Sequence, residues 1–376
     1  MQDNIYNPEK LVKSYRELPH GKARADAIRS AIEQADLNND IPYMVFFRED
    51  FCGEAGEFAD ELDLFTVFPE LLALVDSYPD LTLTPFQESG IQDEVLWDYE
   101  TMLDACDVFY QIPLKECIKF YNDYKRRYTA YGYSNREPYR MISGFYLRTG
   151  DSANTTKYFK KFKSCPKGPD NCPGCDANSE IDYYLFNGEK EKADKLASKI
   201  EEGIVKCEGN PSFSLLRMKT TYLEYYIVNG SYKKAAEVAS VLEYYRSMYK
   251  EFSPWHFIMC ACLYKNPGKG LKIYKKHYKE WEEEHNPNEK FNAYMCAACF
   301  FKGLRKTSNR DTVKLMFKKQ FPLYNGSGIY STTSLIEYYY KEAEQIAAKF
   351  DKRNRTGIYT DKLRKSFANV YRGEDC

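Results

Sequence analysis

The strongest constraint on this chain is a pattern that recurs three times. Tyr146-Leu147-Arg148-Thr149-Gly150, Tyr184-Leu185-Phe186-Asn187-Gly188 and Tyr226-Ile227-Val228-Asn229-Gly230 each close an aromatic-rich segment on a glycine, at intervals of 38 and 42 residues. Glycine takes the left-handed conformation that ends a helix without steric cost. Each glycine is followed by Asp151, Glu189 or Ser231, polar residues suited to opening the next helix. Five and nine residues after Gly188 stand Ala193 and Ala197; after Gly230 the same offsets give Ala235 and Ala239. Small residues there let the second helix lie close against the first. The chain is therefore expected to be built from helical hairpins.

Helical periodicity extends beyond these segments. Ala25, Ile28, Ala31, Ile32 and Ala35 form one apolar stripe, and Leu114, Ile118, Tyr121 and Tyr124 another. Residues 36–40, 166–173 and 286–288 read as breaks, and no run alternates with period two, so almost no sheet is expected. The glycine turn followed by alanine at +5 and +9 resembles the tetratricopeptide-repeat hairpin, with a period somewhat longer than the roughly 34 residues usual there. A weaker copy surrounds Gly56, with Glu61 at the +5 place. The expected fold is all-α, a right-handed superhelical solenoid of TPR-like helical hairpins.

Charge divides the chain unevenly. Residues 1–114 carry 24 Asp/Glu against 7 Lys/Arg, whereas residues 115–376 carry 31 against 47, although the net charge is −1. Between Arg48 and Lys115 there is no Lys or Arg, and 17 acids fall there. This suggests acidic helical repeats over 1–114 and basic helical repeats over 115–376, within one continuous solenoid. The two parts can neutralise each other, or the acidic stretch can receive a basic partner through Asp60, Glu61 and Asp63, since a one-signed surface speeds association. The bases of 115–376 are spread over helix faces, which points to solvation and not to nucleic-acid binding.

With 34 Tyr and 23 Phe the chain has ample material for a core. No apolar run approaches about 18 residues, so no membrane span is expected. Twelve cysteines with a polar Met1 to Tyr15, free of any signal-peptide core, suggest a reducing cytoplasm.

One cysteine-rich loop, residues 165–178, stands apart. Cys172-Pro173-Gly174-Cys175 is a C-x2-C knuckle in a Pro/Gly-rich segment, short enough to turn both thiolates toward one ion. Cys207 follows the helix holding Ala193 and Ala197, and Cys165 lies seven residues upstream of Cys172. Cys165, Cys172, Cys175 and Cys207 together would make a closed, structural Zn2+ site. Free thiols and a redox dithiol are the alternatives, although the latter motif usually opens a helix beside a strand. Cys260, Cys262, Cys296 and Cys299 lie in apolar helical runs and read as core.

No catalytic constellation is apparent. The four histidines form no H-E-x-x-H and pair with no recognisable nucleophile, and Asn325 to Ile329 lacks the Lys-Ser/Thr sequel of a phosphate loop. His256 reads as a packing or capping residue at a helix start. The tyrosine pairs and triplet Tyr183-Tyr184, Tyr225-Tyr226 and Tyr338-Tyr339-Tyr340 could stack bases, but at helical spacing they read as core with hydroxyls at the edge.

Several stretches carry a wider likeness: Leu96-Trp97-Asp98-Tyr99 with Phe109-Tyr110-Gln111-Ile112, Lys125-Arg126-Arg127-Tyr128 with Gly132, Asp170-Asn171-Cys172-Pro173-Gly174-Cys175, and Phe350-Asp351-Lys352-Arg353-Asn354. With these the chain resembles uncharacterised bacterial tetratricopeptide-repeat proteins that share a D-C-x-x-C cysteine motif. In that family a C-x-x-V-P-H run suggests a site of three cysteines and one histidine. Here the run is Cys207-Glu208-Gly209-Asn210-Pro211-Ser212, so Ser212 holds the histidine place, and Cys165 is an added cysteine nearby. The resemblance implies the fold and a metal but no activity. The reading is a non-enzymatic scaffold that binds a protein or peptide. A neutraliser (immunity-type) of a basic toxin or nuclease and an intracellular signalling-peptide receptor are the alternatives.

Overall fold

The structure, a computed structural model, describes residues 6–59, 61–79, 81, 91–168, 171–245 and 254–370. Among the described residues nearly all regular structure is helical. They belong to two compact units, Met1–Tyr133 and Ser134–Cys376. The change of charge at residue 114 thus falls inside the first unit.

The first unit comprises α1 (Pro8–Arg16), α2 (Lys22–Leu37), α3 (Ile41–Phe58), a 3-10 turn (Glu61–Asp63), α4 (Leu64–Ser77), α5 (Ile91–Val108) and α6 (Leu114–Ala130). The stripe from Ala25 to Ala35 is buried along α2, as the periodicity requires. Phe46, Phe47 and Phe51 of α3, Phe68 of α4, Tyr99 of α5 and Tyr124 of α6 are fully buried. The Tyr99 ring meets Phe68 edge-on at 4.9 Å between centroids, and its hydroxyl donates to Asp123 at 3.0 Å.

Gly56 corrects one expectation. It ends no hairpin; it lies inside α3, and a Cβ there would collide with the Thr101 side chain of α5. Close packing of two helices, and not a left-handed turn, is what requires glycine at this position. The acidic stretch is also less one-signed in space than in sequence. Buried Arg48 donates to both Asp36 oxygens at 2.9 Å and to Glu70, and buried Arg127 holds Asp76 with two bonds of 2.7 Å.

The second unit comprises α7 (Arg136–Thr149), α8 (Ser152–Ser164), α9 (Pro173–Phe186), α10 (Lys190–Glu201), α11 (Pro211–Val228), α12 (Tyr232–Tyr245), α13 (Trp255–Ala261), α14 (Pro267–Glu283), α15 (Pro287–Ser308), β1 (Thr312–Lys314), β2 (Ile329–Ser331), α16 (Thr332–Asn354) and α17 (Ile358–Ala368). Gly150, Gly188 and Gly230 close α7, α9 and α11 with φ of 80°, 74° and 77°. Each turn leads into the antiparallel partner helix. Ala193, Ala197, Ala235 and Ala239 are buried at the seams. First helices of successive hairpins also meet, α7 on α9 and α9 on α11.

Asn-Pro opens three helices of this unit, α11, α14 and α15. The asparagine side chain accepts a backbone N–H of the first turn, and proline occupies a position whose own N–H has no partner to lose. Cys260, Cys296 and Cys299 are buried core residues, and the Cys260 thiol donates to the Cys296 carbonyl at 3.1 Å. Of the tyrosine faces, Tyr339 is buried and the others are half-buried: Tyr183 stacks on Phe159, and the Tyr274 and Tyr339 hydroxyls share a 2.6 Å hydrogen bond.

The strand content is as small as expected, while the C-terminal helix departs from the sequence reading. The strands β1 and β2 form a short antiparallel pair with Val313 opposite Tyr330, the one inward residue of each. Three residues are too few for alternation to register. The C-terminal helix also reaches back: α17 packs on α11 and α15. Thr356 Oγ1 donates to the Thr149 carbonyl at 2.6 Å and Asn369 Nδ2 to the Val228 carbonyl at 3.1 Å. A strictly linear repeat array, in which each repeat touches only its neighbours, has no such contacts. Among the described residues no helix is long and apolar enough to cross a membrane.

Candidate metal centre

The centre forms where the start of α9 meets the connection between α10 and α11. Cys172 is the N-cap of α9, with extended backbone, and its sulfur accepts the Cys175 N–H at 3.5 Å. Pro173 occupies the first helical position, so the knuckle turns directly into the helix and carries Cys175 on its first turn. Gly174 has a separate role. A Cβ there would stand 2.5 Å from the Cys207 nitrogen and 2.7 Å from the Lys206 carbonyl carbon. Only glycine lets the incoming chain lie against the helix start.

That approach is braced from behind. Asn178 Nδ2, fully buried, donates to the Gly174 carbonyl at 2.9 Å and to the Ser214 carbonyl at 3.1 Å, tying the first turn of α9 to that of α11. The Cys207 N–H donates to Ser214 Oγ at 3.2 Å. As a result the sulfurs of Cys172, Cys175 and Cys207 all lie within 4.8 Å of one another, each half-buried. Four ligands at about 2.3 Å around tetrahedral zinc have sulfurs roughly 3.8 Å apart, so a small contraction suffices.

Cys165 does not join them. It caps the end of α8, donating its N–H to the Lys161 carbonyl, while its own carbonyl accepts from Arg136 Nη1 at 3.0 Å. Arg136 also donates to the Phe162 carbonyl at 2.9 Å and to Asp176 Oδ2 at 3.0 and 2.7 Å, and lies over the Phe162 ring. The loop's first cysteine is thus fixed through its backbone. Ser212, at the place of the resembled family's histidine, belongs to the α11 cap, its N–H donating to Asn210 Oδ1.

The electrostatics of the sulfurs are unequal. Burial works to raise the Cys172 thiol, but the N–H groups of Cys175 and Glu208 and the neighbouring thiols outweigh it and lower its pKa. Cys175 is pushed up to about 12, chiefly by burial, with Arg140 opposing and the Cys172 charge assisting. Without a cation the proton leaves Cys172 more easily than Cys175. A divalent soft or borderline ion reverses this, because a coordinated thiol deprotonates. The all-sulfur donor set, the glycine cradle and the N–H groups aimed at Cys172 fit a soft or borderline metal ion. No family model, curated protein or solved structure matches this chain.

The acidic candidates are in the first unit. Asp60 lies outside the described residues. Glu61 opens the 3-10 turn, and Asp63 closes it and pairs with Arg29 at 2.9 Å, both half-exposed. Sequence reasoning missed the braces Arg136, Asn178 and Ser214. Their roles depend on helix starts that approach only in three dimensions. The signal at hand was Gly174 itself, a glycine between two cysteines.

Proposed function

We propose that this protein is a non-enzymatic, TPR-like solenoid scaffold that binds a protein or peptide partner, with one structural Zn2+ held by Cys172, Cys175 and Cys207. The observation that carries the reading is the convergence of three sulfurs on the junction between two successive hairpins, α9/α10 and α11/α12. An ion there ties one hairpin to the next and so sets the curvature of the surface they present. Three thiolates quench the Lewis acidity of zinc, which suits a clamp and not a catalyst. Free thiols fit a reducing, cytoplasmic setting: all eleven described cysteines are unbridged.

Two measurements test this. Protein purified without added metal should carry about one zinc per chain, falling sharply in Cys172→Ser. Full-length chain used as bait in native cells should capture a defined partner. If the partner is basic, reversing Asp60, Glu61 and Asp63 to Lys should weaken capture and flatten its salt dependence. A metal-free chain with freely reactive thiols would remove the clamp, and a defined small-molecule turnover would remove the scaffold.

A further inference from the structure

Resting on that metal reading, we infer that the chain supplies only three ligands, and that the fourth position accepts an exchangeable soft donor from outside the protein, a thiolate. Cys172, Cys175 and Cys207 come within 4.8 Å of one another, and among the described residues no fourth His, Cys, Asp or Glu atom completes the group. The nearby polar groups have other duties. Asn178 Nδ2 bridges the Gly174 and Ser214 carbonyls, and Ser214 Oγ accepts from Cys207 and donates to the Pro211 carbonyl. Cys165 is anchored through its carbonyl to Arg136, whose other bonds to Phe162 and Asp176 are themselves buried.

Gly174 lies against the Cys207 backbone, and the hydrogen bonds of Asn178 and Ser214 hold the two helix starts together, so the three sulfurs stay on one triangle. Each of the three residues is half-buried, and none is sealed in the core. A tetrahedral ion on this triangle leaves its fourth position to a donor other than these three. An ion already bearing three thiolates prefers another soft donor over oxygen. The exchange is balanced: one solvent molecule leaves, the incoming thiol binds as thiolate, and its proton passes to buffer.

The test loads the full chain with cobalt(II) under argon and follows its absorption, whose ultraviolet charge-transfer intensity scales with the number of thiolates. Wild type and Cys165→Ser should give the same three-sulfur spectrum, and Cys207→Ser should lose intensity. Titration with 2-mercaptoethanol should raise that intensity by about a third in both, the step from three thiolates to four. Loss of intensity in Cys165→Ser, with Cys165→Ala behaving alike, would make Cys165 the fourth ligand and overturn the inference. A changed spectrum in Asp170→Asn would do the same for Asp170, and so would indifference to the added thiol. In those outcomes the clamp itself survives. A wild type that takes up no cobalt or zinc overturns the clamp as well, so the two failures are distinct.

Discussion

Gly174 and Cys207 meet with no room for a side chain between them: a Cβ on residue 174 would stand 2.5 Å from the Cys207 nitrogen. The obstacle is backbone, which cannot swing aside as a flexible side chain can. Gly174→Ala should therefore separate Cys207 from the knuckle while leaving the helices intact. The expected outcome is zinc content well below that of wild type with unchanged far-ultraviolet circular dichroism. Full metal retention would show that the α10–α11 connection can retreat without cost.

The three hairpin glycines should not respond alike to substitution. All have positive φ, so alanine costs roughly 1 kcal/mol at each from backbone strain. Around Gly188 a Cβ meets nothing within 4 Å, whereas at Gly230 it would stand 2.7 Å from the Asn369 carbonyl oxygen. Gly230→Ala should lower stability clearly more than Gly188→Ala, as measured by urea denaturation. Equal losses would mean that α17 does not press on the α11 turn.

Arg136 and Asp176 form a buried pair, with side chains 4% and 5% exposed. Arg136→Ala leaves a carboxylate buried without its partner and strips two helix-end carbonyls of their donor. The loss should be about 3–5 kcal/mol. Arg136→Lys should recover only part, since an ammonium cannot span Asp176, Phe162 and Cys165 as the planar fork does. Denaturation midpoints of both variants check this; full rescue by lysine would contradict it.

His256 gives the second unit an acid-side weakness. Burial above all, and the charge of Lys362 next, lower its pKa to about 3. Unfolded, it titrates near 6.5. Above that pH both states are neutral and the contribution is intact. As pH falls from about 6.5 toward 3, the unfolded chain takes up a proton that the folded one refuses, so stability declines by at most about 1.4 kcal/mol per unit. His256 Nε2 has no hydrogen-bond partner, so His256→Leu orphans nothing there. The variant should show a shallower loss of stability between pH 7 and 4.5; an identical slope would assign the acid sensitivity elsewhere.

What the sequence made legible was local. Gly150, Gly188 and Gly230 announce helix ends because a positive φ is a property of one residue, and Ala193 or Ala239 announce seams because size is. The same reasoning fails at Gly56, where the demand for glycine comes from Thr101 on another helix. At the candidate metal centre the knuckle was readable from Cys172 and Cys175, and the approach of Cys207 from its place after a helix. Cys165 is nearer to Cys172 along the chain than Cys207 is, yet Arg136, 29 residues before it, decides where it stays. Charge misleads in the same way: Asp76 sits in a run without lysine or arginine, but Arg127 is folded onto it.

The return of α17 to the turns after α7 and α11 bears on how the second unit is made. Thr149 and Val228 leave the ribosome long before Thr356 and Asn369, which supply their hydrogen bonds. The hairpins from α7 to α12 are thus synthesised with two of their turns uncovered, and Gly150 and Gly230 await the side chains that pack on them. Local hairpins can form as they emerge, but closure of the unit is deferred until translation has passed Asn369. A stalled or truncated chain lacking α17 would expose those turns together, a recognisable mark of an unfinished molecule for the cell's quality control.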